Sequence, residues 1–249
     1  MEQTELLRLI DERSAAFRAA VAAAPSMDAK VPTCPGWTLF DLVRHLGAGR
    51  RKWAAIIAAG PADAPPDSST WDIPAPAERE ALLAWFSASI ERLLDALREA
   101  GPDRACWTWW GDSQSPQTSG AAARHQLQEI AVHTYDAQSV AGDPQPLPAV
   151  VAADGVEEFL SVCCSTTVAW PHEPAAVDYH IIDGDSWRLR LSADGARLTT
   201  PGDDPADAAV WGTAGDLVLL LYGRVPLDSL KLEGDRRHFE RLIAWDPSE

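Results

Sequence analysis

Four stretches of the chain carry apolar residues at the three- and four-residue spacing of an amphipathic helix. Prolines, glycines and short polar residues separate the stretches, and Thr38 is a favourable N-cap with Asp41 in the following turn. The pattern predicts helices over residues 3–24, 39–59, 77–99 and 118–140. Four long consecutive helices are typical of a four-helix bundle.

The pattern changes near residues 142–144, where Gly, Asp and Pro follow one another. One more helix is predicted over about 147–164, and apolar and polar residues then alternate with the period of a strand. Strands are predicted over residues 179–182, 187–191, 207–210 and 230–233, with helices over 213–222 and 235–245. We therefore predict an α+β fold with a four-helix bundle over residues 1–143 and a smaller α/β domain over 144–249.

The net charge of the chain and its apolar runs limit the classes of function that fit this sequence. The net charge is −16, which argues against nucleic-acid binding and against adhesion to an anionic membrane. No apolar run approaches the roughly 20 residues that span a bilayer, and the acidic, amphipathic N-terminus is unlike a secretory signal. We expect a cytoplasmic protein that acts on small molecules.

The cysteines show no CxxC pair and no zinc-ribbon spacing, so all four are expected to be thiols in a reducing cytosol. Cys34 lies in the turn before the second predicted helix. It is either a small buried residue of that turn, a nucleophile or an extra metal ligand. Three tryptophans, Trp107, Trp109 and Trp110, either pack in the interior or line a pocket.

Glu129 and His133 are candidate metal ligands, because side chains four positions apart project from one face of a helix. Such pairs also occur on solvated helices, so the metal interpretation depends on a third ligand. His45, on the second predicted helix, supplies one if the two helices pack side by side. Two imidazoles and a carboxylate suit zinc and leave a position open for substrate, as catalytic zinc sites do.

Neighbouring polar residues have less certain assignments. His125 lies about 12 Å along the helix axis from His133, too far to share one ion with it. Asp136 is either an acceptor for a ligand imidazole or a solvated carboxylate. Arg50 and Arg51 are weak candidates for binding an anion, and at least one of them is expected to face solvent.

Three motifs resemble those of the mycothiol-dependent maleylpyruvate isomerase family, which belongs to a wider DinB-like group of metalloproteins. They are VPTCPGWTLFDLVRHLG (31–47), ARHQLQEIAVHTYDAQ (123–138) and LLLYGRVPL (219–227) with the LEGD that follows. The resemblance implies a divalent metal, zinc, held by His45, Glu129 and His133. It also implies a sterol-carrier-like C-terminal domain that supplies a catalytic arginine, matched here by Arg224. By position alone, Arg224 could instead satisfy carbonyls at a helix end.

The implied activity uses mycothiol as a thiol cosubstrate. A coordinated thiol is deprotonated, and the thiolate can then attack a small electrophile. If it leaves again, the reaction is a cis–trans isomerisation; if it stays, the reaction is an S-transfer. Two alternatives stay open: a hydrolase that uses zinc-bound water, and a non-catalytic binding or regulatory protein on the same scaffold.

Overall fold

The computed structural model describes residues 1–246 of the chain. It contains two compact units. The first unit comprises Met1–Trp109 and Pro116–Leu147, and the second comprises Trp110–Ser115 and the described residues from Pro148 onward. Among the described helices, none combines the length and the apolar character needed to cross a bilayer.

The first unit is a bundle of the four predicted helices. They are α1 (Gln3–Ala23), α2 (Leu39–Ala59), α3 (Arg79–Ala100) and α4 (Ser119–Ser139). The predicted N-cap, Thr38, opens α2 as part of a capping box: the Thr38 hydroxyl accepts from the Asp41 N–H, and the Asp41 carboxylate accepts from the Thr38 N–H. Because this box fixes where α2 begins, it also fixes the position of His45 on the helix.

Helix α4 buries an unusual number of polar side chains. Its buried positions include His125, Gln126, Gln128, His133 and Asp136. Buried polar groups are retained where they find hydrogen-bond partners, because desolvation without a partner is costly. The part of the bundle around these buried polar residues of α4 is therefore where a functional site is most expected.

Helices α2 and α3 approach closely at Gly47. A Cβ added to Gly47 would clash with the buried Trp85 ring, whereas a Cβ on Gly49 of the same helix would meet nothing within 4 Å. We expect Gly47→Ala to lower the free energy of unfolding by about 1–3 kcal/mol through overpacking. Gly49→Ala, the matched control, should raise it slightly because alanine favours the helix. Chemical denaturation checks both, and equal effects of the two variants would contradict the expectation.

The second unit is built on a five-stranded sheet. Its strands are β1 (Ala175–Ile181), β2 (Ser186–Ser192), β3 (Gly195–Thr199), β4 (Ala208–Gly212) and β5 (Lys231–Gly234), in the order β3-β2-β1-β4-β5. The β1–β4 pair is parallel and the others are antiparallel. The remaining helices are α5 (Ala149–Phe159), α6 (Ala214–Leu221) and α7 (Arg237–Ala244). The predicted α+β class is confirmed.

Three local features of this unit differ from the sequence prediction. Strand β1 begins four residues before the predicted range of 179–182 and ends at Ile181. The helix predicted over 147–164 is α5 followed by a π-helical turn, Leu160–Cys164. Strand β3 was not predicted, because it is a short edge strand whose Arg197 and Thr199 are exposed and whose apolar alternation is weak. It forms by pairing with β2 across a turn that ends at Gly195, where φ is +104°.

Candidate metal centre

Three of the predicted site residues come together. Oε2 of Glu129 lies 3.5 Å from Nε2 of His45 and 3.9 Å from Nε2 of His133. One ligand atom from each residue lies within 4.8 Å of the other two. Glu129 and His133 share a face of α4, as their spacing predicts, and α2 supplies His45 from the side. The His45 side chain is 44% exposed and that of His133 only 10%, so the group opens to solvent on the His45 side.

An aromatic ring borders this group. The ring centroid of Trp37 lies 4.9 Å from that of His45 and 6.3 Å from that of His133, and the Trp37 and His133 rings are nearly parallel. Trp37 directly precedes the Thr38 cap of α2. The loop before α2 thus forms one wall of the site and restricts the orientation of both imidazoles.

Asp136 holds the far side of His133. Its carboxylate is fully buried, and Oδ2 lies 2.7 Å from Nδ1 of His133. Thr33 Oγ1 donates to Oδ1 at 2.6 Å, and Cys34 Sγ donates to Oδ2 at 3.3 Å. A proton on Nδ1 that is bound by Asp136 leaves the Nε2 lone pair directed at His45 and Glu129, the arrangement common for metal-ligating histidines. Of the two interpretations of Asp136, the structure supports the imidazole acceptor.

Sequence reasoning did not assign Thr33 or Trp37 to this site, and it left Cys34 open as a turn residue, a nucleophile or an extra metal ligand. They belong to the first motif, about 100 positions before Asp136, and only the packing of the loop on α4 joins them. Cys34, His133 and Asp136 also offer ligand atoms within 4.8 Å of one another. The two groups share His133, so Cys34 can be tested as a ligand by substitution.

Glu129 is an ionised carboxylate. Burial alone would raise its pKa, but the hydrogen bond from His45 and the charges of His133, His125 and His45 outweigh that effect. The pKa of Glu129 is therefore held well below its usual range. An ionised carboxylate between two imidazoles is a set of donors that favours a divalent cation.

The expectation that Arg50 or Arg51 faces solvent is wrong, since both are buried. Arg50 reaches across to α4, where its guanidinium donates to the side-chain and backbone carbonyls of Gln126. Burial lowers the pKa of Arg50 to about 10, against the opposing charge of Glu129. Arg51 turns towards α3, where Nε donates to Ser89 Oγ at 2.8 Å. The long aliphatic stem of each arginine fills a space between helices. The positions of charged residues along the sequence do not reveal that these two side chains are buried.

His125 is not one of the three converging ligands. The His125 ring is 6.3 Å from the Trp53 ring and 5.8 Å from the Trp109 ring. Of the three clustered tryptophans, Trp110 is buried, Trp109 is 51% exposed and Trp107 is half-buried.

In the second unit, Arg224 Nη1 donates to the Tyr222 backbone carbonyl at 2.6 Å. Each of the four cysteines is a thiol.

The role of Asp136 can be measured. We expect Asp136→Asn to weaken divalent-metal affinity by about 10–100-fold, because the amide no longer fixes the His133 imidazole as a carboxylate does. Cys34→Ala keeps the His133–Asp136 bond and should change the affinity only a few-fold. Competition with a chromophoric chelator measures both constants. If Cys34→Ala proved the more damaging, the ligand set would have to include Cys34.

The fold and the site define a helical bundle with a candidate metal site, together with an α/β unit, and comparison with known families agrees. Residues 7–138 match the mycothiol maleylpyruvate isomerase N-terminal domain, and residues 150–241 match the C-terminal domain of the same family. The chain belongs to the mycothiol-dependent maleylpyruvate isomerase family.

Solved structures show the same fold. One is the mycothiol-dependent maleylpyruvate isomerase, at 15% identity and a TM-score of 0.60, and another is a histidine-to-alanine variant of that enzyme, at 13% and 0.61. Each alignment covers 94% of this chain and 93% of the other. A comparison with curated protein sequences found no match.

Proposed function

We propose that this chain is a zinc-dependent enzyme that uses mycothiol as a cosubstrate to act on a small electrophile, with cis–trans isomerisation of a maleylpyruvate-type substrate as its reaction. The observation that carries the proposal is the convergence of His45, Glu129 and His133 in a group open to solvent on one side. Membership of the family supports the choice of thiol.

The three side chains fit zinc by their chemistry. Zinc binds nitrogen and carboxylate oxygen, and catalytic zinc sites commonly have three protein ligands. Asp136 fixes His133 in the tautomer that presents Nε2, and Glu129 is ionised without a competing proton. Thr33 and Cys34 in turn donate to Asp136, so hydrogen bonds within the protein orient the His133 ring.

A low-molecular-weight thiol at pH 7 is mostly protonated, since its pKa is near 8.5. The metal, when bound, lowers the pKa of a thiol that coordinates it and so supplies a thiolate at neutral pH. The exposed His45 side of the group is where the thiol enters, and Trp37 limits the space beside it.

The reaction needs no other cofactor. The thiolate adds to the electron-poor carbon of a conjugated cis double bond, and the electron pair moves to the neighbouring carbonyl. The former double bond between the two carbons is now single and rotates. The electron pair then returns and the carbon–sulfur bond breaks, which regenerates the thiolate and gives the trans isomer. If the addition product instead takes up a proton at the carbon next to the carbonyl, the carbon–sulfur bond stays and the product is a thioether.

A dianionic substrate must also be held against a net charge of −16. We propose that Arg224 binds one of its carboxylates, because a guanidinium can do so through two parallel hydrogen bonds. The match of its motif to the family supports this role.

Zinc-loaded protein incubated with maleylpyruvate, with and without mycothiol, tests the proposal by chromatography of the products. We expect the trans isomer only when mycothiol is present. A stable thioether would assign the chain to S-transfer. Turnover that needs no thiol would favour the hydrolase, and inert behaviour of the zinc-loaded protein towards thiol and substrate would favour a binding protein.

A further inference from the structure

The second unit contains a cavity of 360 Å³. The π-helical turn, β1, α6, the segment after α6 and α7 all contribute to its wall, and each of these elements belongs to that unit. Voids larger than a water molecule are few in close-packed protein interiors. A cavity of this size instead falls in the range of small-molecule pockets, about 300–1,000 Å³.

The wall of this cavity carries no formal charge. Among the described residues, those that line it include no Asp, Glu, Lys, Arg or His, although the chain as a whole is highly charged. Aromatic and aliphatic side chains make most of the surface, Phe159, Leu220 and Leu242 among them. An ionic ligand would lose its hydration here without compensation, so the cavity selects for a neutral molecule.

The few polar groups at the wall are also neutral. Burial raises the pKa of the Cys164 thiol to about 12 and that of Tyr179 well above its usual value. The π-helical turn brings both Cys163 and Cys164 to the same cavity, and such turns are frequent at functional sites. These groups suit one hydroxyl or carbonyl on an otherwise apolar ligand.

Helix α7 covers the cavity with its apolar side. Phe239 is buried and packs edge-on against Tyr179, with ring centroids 5.7 Å apart. Leu242 is half-buried and Ile243 is 72% exposed, although both line the cavity. The rim at these two residues is therefore in contact with solvent and provides an entrance.

We propose that the second unit binds a neutral, apolar small molecule in this cavity, of the size of a two- or three-ring aromatic compound and with at most one polar group. In another protein, an apolar cavity of about 150 Å³ binds benzene, so a larger cavity with an entrance has room for a larger guest. The proposal does not depend on the reaction assigned to the metal-binding bundle.

The full-length protein can be titrated with N-phenyl-1-naphthylamine, an uncharged aromatic dye that fluoresces in apolar surroundings. We expect saturable binding of one dye per chain. A signal that rises without saturation up to the solubility limit of the dye, with the protein folded by circular dichroism, would overturn the proposal.

A matched pair of variants locates the dye. Leu242→Glu places a charge at the rim, and we expect it to weaken dye binding by about tenfold or more. Ile182→Glu makes a comparable change at an exposed residue of the same unit that does not line the cavity, and should leave binding unchanged. Equal affinity in the two variants would contradict the assignment.

Alkylation of the unmodified protein gives a second test that does not depend on any variant folding. Because Cys163 lines the cavity, bound dye should slow its reaction with a maleimide, measured by peptide mass spectrometry. Cys34, in the first unit, should react at an unchanged rate. Protection of Cys34 in place of Cys163 would put the dye elsewhere and overturn the proposal.

Discussion

The His133→Ala variant is expected to lose its zinc. His133 supplies one of three proposed ligand atoms, and its ring also connects the group to the buried Asp136. Loss of an outer-shell partner typically costs 10–100-fold in metal affinity, so loss of a direct ligand should cost at least about 100-fold. Thiol-dependent turnover should fall below detection. Elemental analysis after dialysis, together with chelator competition, measures the change.

His125→Ala is the matched control, because it removes another buried histidine from the same helix. His125 packs against tryptophan rings and is absent from the ligand groups found among the described residues. The control should keep its zinc. If His133→Ala were folded and bound zinc with unchanged affinity, His133 would not be a ligand.

The Arg224→Ala variant is expected to retain zinc but to lose about 100-fold or more in kcat/KM on a dicarboxylate substrate, as removal of a charged or hydrogen-bonding contact to the reacting species often does. Arg224→Lys should recover only part of the loss, since an ammonium cannot reproduce the two parallel hydrogen bonds of a guanidinium. Steady-state kinetics with zinc-loaded protein measures both variants.

An arginine that serves only the end of α6 would behave differently. Water can also solvate the Tyr222 carbonyl that Arg224 binds, so removal of such an arginine would cost a little stability and no activity. Arg237→Ala removes an exposed arginine from the same unit and controls for loss of surface charge. Arg224→Ala with unchanged kcat/KM and full zinc content would leave Arg224 with a structural role alone.

Helical periodicity located the main parts of the bundle. The spacing of Glu129 and His133 places them on one face whatever else the fold does, and the Thr38 cap sets the start of α2 within one residue. These are local consequences of helix geometry, so they can be read from a single sequence. Local helix geometry does not predict the packing of α2 beside α4. That prediction depended on the typical packing of helices in bundles.

The features missed by sequence reasoning depend on tertiary contacts. Asp136 was ambiguous because its partners, Thr33 and Cys34, lie on a loop distant in sequence. At least one of Arg50 and Arg51 was expected to face solvent, because a buried arginine needs a partner. No sequence pattern identifies Gln126 or Ser89 as that partner. The π-helical turn after α5 has no local signal either, yet it determines which cysteine side chains reach the cavity.

Calorimetric titration of the zinc-loaded protein with mycothiol tests the central claim most directly. The account predicts saturable binding of one thiol per chain, with proton release, and no binding to metal-free protein or to His133→Ala. A well-folded, zinc-loaded protein that takes up no mycothiol would contradict the thiol mechanism.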